Sequence, residues 1–247
     1  MTLRLVTYNI RHGGSGREAA LIAVLRACDP DVVILQEATK PAVVERLAAG
    51  VGMQTCGSRP RQSLGFLSRV PIAHYEWHRP RMSRHAFLEI VPEGDRVRFF
   101  GVHLSAVHAA WTERRRVREL RALLKSIERH QSGFHVLAGD FNTLAPGELL
   151  DIRQLPQRLR ALVWLSGGRI RWQTIRIVLD AGYVDVFRAL HPEDPGLSFP
   201  TWNPHVRLDY IFVPRNVSRV SSCRMVDHPD TKTASDHFPL LAEFAFE

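Results

Sequence analysis

An α/β domain follows from three features of the sequence. Continuous apolar runs such as Val32-Val33-Ile34-Leu35 and Val136-Leu137-Ala138 have the texture of strands covered on both faces. Segments with apolar residues at helical spacing lie between such runs. At 247 residues and 45% hydrophobic the chain can bury a full core, and no Gly/Ser-rich or Pro-rich linker divides it. One domain over residues 1–247 is therefore expected.

Residues 3–10 alternate as a first strand, with Asn9 near its end. The following Gly13-Gly14-Ser15-Gly16 lacks the Lys-Ser/Thr of a Walker loop and the spaced dinucleotide pattern, so it reads as a flexible connection. Residues 17–28 make a helix that Asp29-Pro30 stops. Residues 31–37 are a buried strand with an acid, Glu37, at its far end, and 41–50 are a helix with proline at its start and glycine at its end. Short strands follow at 64–68, 72–77, 86–91 and 97–102, with Glu93-Gly94-Asp95 as a hairpin turn. The last of them runs on into His103. Residues 111–130 form a long helix whose arginines Arg114, Arg115, Arg116, Arg118 and Arg121 are expected mostly on a solvated face.

That helix leads into the strand ending Gly139-Asp140-Phe141-Asn142. Residues from about 145 to 181 read as a basic helical insertion, broken at Ser166-Gly167-Gly168. Its arginines and tryptophans suit a basic amphipathic lid or a membrane-surface element; an ordinary packed helix pair, with arginine stems covering apolar surface, is the simpler account. Strands return at 208–213 and 238–246.

A formal charge of +8 and a pI near 10.1 favour a polyanionic partner, nucleic acid or an acidic lipid surface. The cysteines Cys28, Cys56 and Cys223 are odd in number, widely spaced and without a Cys-x-x-Cys, which argues against a disulfide framework and a structural zinc site. The N-terminus alternates like a strand and not like a signal peptide, and no run reaches the roughly 18 apolar residues of a membrane span. A soluble, cytoplasmic protein is expected.

The polar groups at strand ends are Asn9, Glu37, His103, Asp140, Asn142, Asp209 and the adjacent pair Asp236-His237. In extended chain Asp140 and Asn142 point to the same side; an Asx turn is the plainer alternative. Magnesium takes oxygen ligands, and Glu37 and Asp236, aided by Asn9, offer them without a thiolate. His237 with Asp209 can form an acid/base pair, while Asn142 and His103 can bind phosphoester oxygens. Singly, Glu37 could be a helix cap, His103 a core histidine and Asp209 a turn residue. Their recurrence at independent strand ends points instead to one site.

Thr7-Tyr8-Asn9, Leu35-Gln36-Glu37, Val102-His103-Leu104, Gly139-Asp140-Phe141-Asn142, Arg207-Leu208-Asp209-Tyr210-Ile211-Phe212 and Ser235-Asp236-His237 resemble, in order, the signature segments of the endonuclease/exonuclease/phosphatase family, the deoxyribonuclease I-like phosphoesterases. The resemblance implies a four-layer α/β sandwich, two packed mixed sheets flanked by helices, with magnesium or manganese at the strand ends. It implies Glu37 as main metal ligand with Asn9 and Asp236 nearby, and Asp140 positioning or activating the attacking water. It also implies Asn142 stabilising the transition state, His103 contacting phosphate and Asp209 orienting His237. Asp140 and His237 are rival general bases.

The expected function is thus a magnesium-dependent phosphoesterase, with nucleic acid slightly ahead of phospholipid or small phosphates as substrate. A basic binding module without catalysis is the alternative of another class. Arg84 and Trp202 are candidate substrate contacts, beside Arg81, Trp111, Arg169, Arg171 and Trp172, in a polyanion-binding groove. A monomer is expected.

Overall fold

A computed structural model describes residues 2–80, 85–94, 96–105, 110–128, 133–148, 157, 173–215 and 218–246, with 110–112 described by backbone alone. Two six-stranded sheets organise it. The first contains, in spatial order, β11 (Val220–Met225), β12 (Leu240–Ala245), β1 (Thr2–Asn9), β2 (Val32–Gln36), β4 (Gly65–Ser68) and β3 (Thr55–Ser58). The second contains β5 (Ile72–His78), β6 (Phe87–Pro92), β7 (Arg98–His103), β8 (His135–Asp140), β10 (Asp209–Pro214) and β9 (Tyr183–Asp185). Both sheets are mixed: β1/β2 and β7/β8 run parallel, and the remaining neighbours antiparallel.

Strand alternation sorts the apolar residues into three layers of core. Leu3, Leu5, Ile34, Phe66, Ile90, Phe99, Val136, Ala138, Ile211 and Phe244 meet between the sheets. Val6, Tyr8, Val33 and Leu35 face the other way, against α1 (Glu18–Cys28) and α2 (Pro41–Val51). Phe100, Leu137 and Phe212 pack outward on α3 (Ala110–Ile127) and α4 (Thr174–Asp180). Helix, sheet, sheet and helix therefore stack in four layers, and β2 and β8 are apolar on consecutive positions because both their faces are covered. The helix ends follow local chemistry: Pro41 opens α2, where a missing N–H costs nothing, and Gly52 closes it in the left-handed region at φ 72°.

The structure departs from the sequence reading in three places. β3, β9 and β11 were not anticipated. Arg116, placed among the solvated arginines, is fully buried, with Nη2 and Nε donating to one Glu113 oxygen, Oε2, at 2.8 and 3.1 Å, while Arg114, Arg115, Arg118 and Arg121 are exposed. α3 stops at Ile127, short of the expected 130. Of the insertion expected at 145–181, α4 is its described helix. The stretch carrying Trp164, Arg169, Arg171 and Trp172 lies outside the described residues, as do Arg81 and Arg84. No described helix is long and apolar enough to cross a membrane. All three cysteines are free.

Candidate active site

The alternation that fills the inter-sheet core also aims its polar ends. Asn9 shares a strand face with Leu3 and Leu5, His103 with Phe99, Asp140 with Val136 and Ala138, and Asp209 with Ile211 and Val213. All four side chains thus turn into the space between the sheets. Register aligns them further, since Asp140 pairs with His103 on β7 and with Asp209 on β10. Gly139 makes this row possible. At φ 155° a Cβ there would lie 1.8 Å from the Val102 carbonyl oxygen, so only glycine lets β8 lie this close to β7 beside Asp140.

Asp140, almost wholly buried, is the meeting point. Its Oδ2 accepts from Asn9 Nδ2 of the opposite sheet at 3.0 Å and from Asn142 Nδ2 at 3.2 Å, and its Oδ1 accepts from the Asn142 backbone N–H at 2.8 Å. The last bond is an Asx turn, the plainer reading of Gly139-Asp140-Phe141-Asn142. Asn142 does not continue the strand. It sits at φ 52°, and the turn, not extended chain, brings its side chain back to Asp140. Its other amide proton goes to the Leu104 carbonyl at 2.9 Å. Asn142 orients Asp140 in this structure, and contact with a transition state would require exchanging the Asp140 bond for substrate.

Two imidazoles flank this carboxylate. His237 Nδ1 lies 2.8 Å from Asp209 Oδ2, leaving Nε2 3.9 Å from Asp140 Oδ2. His103 Nε2 is 3.8 Å from the same oxygen. Both gaps exceed a hydrogen bond, so neither imidazole Nε2 is bonded to Asp140. His237 sits in the bent loop before β12, where the Ser235 hydroxyl donates to the Asn9 carbonyl at 2.6 Å and accepts from the His237 N–H at 3.3 Å. The Ser198 hydroxyl accepts from the Leu208 and Asp209 N–H groups at 2.9 and 3.3 Å, fixing the start of β10.

The electrostatics separate the groups. Burial pushes the Asp140 carboxyl up to about 7, helped by the Asp209 charge and opposed by His237 and the Asn9 and Asn142 hydrogen bonds. Burial alone would lower His237; Asp209 and Asp140 outweigh it and raise the imidazole to about 10. Burial, with the His85 and His237 charges, drives His103 down to about 4. At neutral pH His237 is thus a cation and His103 neutral.

On the first sheet, Glu37 stands just past β2 at φ 58°. It accepts from the His12 N–H at 2.5 Å and from Asn9 Nδ2 at 3.4 Å. Burial raises its pKa, but these bonds and the neighbouring histidines outweigh it and hold the carboxyl below its usual range. Asp236 faces Arg11 Nε at 3.5 Å, and the Arg11 guanidinium lies 5.8 Å from the ring of Trp202, whose side chain stands at the rim and is 57% exposed. Among the described residues, the acidic and imidazole groups close enough to share an ion are Asp140, Asp209 and His237, with ligand atoms within 4.8 Å of one another. That trio differs from the expected Asn9, Glu37 and Asp236. Asn9 links the two sets, since one amide nitrogen donates to both Glu37 and Asp140. Sequence reasoning passed over Arg11, Ser63, Ser198 and Ser235, residue types too common to stand out without neighbours.

A model of the endonuclease/exonuclease/phosphatase family matches residues 6–237. No curated protein matches the chain. Among solved structures, an AP endonuclease from Archaeoglobus fulgidus is 18% identical with a TM-score of 0.75, covering 99% of this chain and 100% of that one. The 3' phosphatase NExo from Neisseria, bound to a product DNA hairpin, is 19% identical with a TM-score of 0.73 over 99% and 100%. Humanized D. rerio TDP2 is 19% identical with a TM-score of 0.68 over 99% of both chains. At these identities the likeness is one of fold, two mixed sheets with flanking helices. With the family model spanning nearly all of its length, the chain belongs to the endonuclease/exonuclease/phosphatase family of phosphoester hydrolases.

Proposed function

We propose that this protein is a phosphodiesterase dependent on magnesium or manganese, acting on nucleic acid. The observation that carries it is the convergence on Asp140 of groups from both sheets: Asn9 at 3.0 Å, the Asp209-held His237 at 3.9 Å and His103 at 3.8 Å. The donor set fits a hard divalent cation. Asp140, Asp209 and Glu37 bring carboxylates into one partly buried cleft, Asp209 Oδ1 is buried without a hydrogen-bond partner among the described residues, and no thiolate is present in the set. Such an excess of buried negative charge is stable when a cation offsets it. Glu37, with Asn9 and Asp236, would hold the ion on the first sheet, and the carboxylates of Asp140 and Asp209 would offer further oxygen ligands. When bound, the ion polarises the phosphoryl oxygens and offsets the charge that develops on them.

The residues divide the remaining work. Asp140, raised toward neutrality yet still ionisable, accepts a proton from the attacking water as the new P–O bond forms and the bond to the leaving oxygen breaks. His237 is already protonated, so it is the poorer base and serves as a cationic donor to the phosphoryl oxygens, held by Asp209. His103 contributes a second, neutral donor. Between the two rival bases the arrangement therefore favours Asp140.

Nucleic acid is supported as substrate by the formal charge of +8 and by exposed Trp202 beside Arg11 at the rim, an aromatic and a cation that suit a base and its phosphate. The test is hydrolysis of single-stranded DNA, duplex DNA, RNA, a phosphoinositide, sphingomyelin and nucleotides across a magnesium titration, with wild type beside Asp140→Ala and Glu37→Ala. Hydrolysis of a nucleic acid, lost in chelator and in Asp140→Ala and weakened in magnesium affinity by Glu37→Ala, is the expected result. Activity that survives excess chelator would refute the metal site, and preference for a lipid or nucleotide would refute the substrate.

A further inference from the structure

Ser63 lies in the loop before β4, on the first sheet, yet its side chain reaches across the cleft to the second. Its hydroxyl oxygen accepts the Glu37 backbone N–H at 3.2 Å, and the same oxygen is hydrogen-bonded to His103 Nδ1. The Ser63 carbonyl accepts from the Ala38 N–H at 2.8 Å, so the residue is pinned from both ends. The His85 ring lies alongside His103, with centroids 5.8 Å apart and planes 29° apart.

A serine hydroxyl has one proton to give and two lone pairs to receive. One lone pair takes the Glu37 N–H. Among the hydrogen bonds described, the partner positioned to take the Ser63 proton is His103 Nδ1. If Nδ1 carried a proton instead, the hydroxyl would accept twice and its own proton would have no acceptor among the described residues, turning to solvent instead. The ring proton therefore belongs on Nε2, the nitrogen that faces Asp140 across 3.8 Å.

We infer that Ser63 is a positioning residue that fixes His103 in its Nε2–H tautomer, so that the neutral imidazole presents a donor and not a lone pair to the phosphate. This rests on the reading of His103 as a phosphate contact. At metal-ligating histidines, removing the partner that sets the imidazole's tautomer costs roughly 10- to 100-fold, and a loss of that order is expected here, since a lone pair turned toward a phosphoryl oxygen would repel it. The hydroxyl also ties the backbone of Glu37 to His103, so both sides of the cleft share one anchor.

The test uses the full chain with magnesium and bis(p-nitrophenyl) phosphate as probe substrate, comparing Ser63→Ala, Ser63→Thr, His103→Ala and the double variant S63A/H103A, with nitrogen-15 NMR of the histidine side chains. Expected are a loss of at least 10-fold in kcat/KM for S63A, less than 2-fold further loss when S63A is added to H103A, and recovery in S63T, which keeps the hydroxyl. The His103 resonances should show a protonated Nε2 in wild type and S63T, and a mixture of tautomers in S63A. Equal losses from S63A in both backgrounds, or an unchanged His103 tautomer in S63A, would overturn the inference. If H103A alone retains full activity, the assignment of His103 to the phosphate fails, while the NMR comparison still decides whether Ser63 sets the tautomer.

Discussion

His237 Nδ1 and Asp209 Oδ2 lie 2.8 Å apart, joining the loop before β12 on one sheet to the first residue of β10 on the other. The bond fixes the ring so that Nε2, not Nδ1, looks toward Asp140. The two residues should therefore act as one device. Asp209→Ala and His237→Ala are each expected to lower kcat/KM by about 10²- to 10⁴-fold, and the double variant by little more than the worse single one. Losses that simply multiply in a double-mutant cycle would show that the pairing has no functional consequence.

The pH profile tests the assignment of the base. Asp140 must be ionised to take a proton, and burial, reinforced by Asp209, raises its carboxyl to about 7. Activity is therefore lost as pH falls through its pKa, since the protonated acid cannot accept. Followed by carbon-13 NMR in the metal-free protein, the Asp140 carboxyl should titrate near 7, and saturating metal, an opposite charge beside it, should move the acid limb of kcat/KM to lower pH. A metal-free titration at the ordinary carboxylate value of about 4 would show that Asp140 is not raised.

What the sequence revealed and what it hid have physical causes. Central strands such as β2 and β8 are covered on both faces, so their apolar runs stand out. The three strands missed are all at sheet edges: β3 and β11 bound the first sheet and β9 the second. Edge strands pack on fewer neighbours; β3 reads Thr-Cys-Gly-Ser and is half-buried throughout. Catalytic residue types at strand ends were legible because alternation predicts where they point. Ser63, Ser235 and Arg11 were not, since their meaning comes from contacts across 40, 226 and 225 positions. Arg116 was misjudged because its i,i+3 pairing with Glu113 is legible but the burial of that pair is not: Glu113 also accepts the Gln173 and Thr174 N–H groups at 2.7 and 2.8 Å, from a segment 60 and 61 positions away.

Arg207 offers a stability test away from the proposed chemistry. Buried to 1% exposure, its guanidinium binds Asp185 through two bonds at 3.0 and 2.6 Å, reaches Glu148 at 2.8 Å and stacks 4.4 Å over Tyr210. Removing it leaves buried Asp185 without its cation and Glu148 with only Arg188 at 3.3 Å, so Arg207→Ala should cost about 3–5 kcal/mol. Arg207→Lys should recover only part of this, because an ammonium cannot form the planar fork. Denaturant unfolding measures both, and a cost of Arg207→Ala under 1 kcal/mol would mean the network relaxes without it.

The last prediction separates the two rim residues by what each would contribute to a polynucleotide. Arg11 carries charge but is tethered, 3.5 Å from Asp236 and 5.8 Å from the Trp202 ring centroid, whereas Trp202 offers an exposed aromatic face. A phosphate contact releases counterions, so its loss flattens the salt dependence by about 0.7 in slope for a single strand. A stacking contact carries no charge, so its loss weakens binding by roughly 1–3 kcal/mol per base without changing that slope. Binding of single-stranded DNA to the Asp140→Ala protein, measured over a salt series, should therefore lose slope in the added Arg11→Ala and lose affinity at constant slope in the added Trp202→Ala. If neither substitution alters binding, the nucleic acid does not cross this rim. If both alter only the slope, Trp202 does no more than hold Arg11 in place.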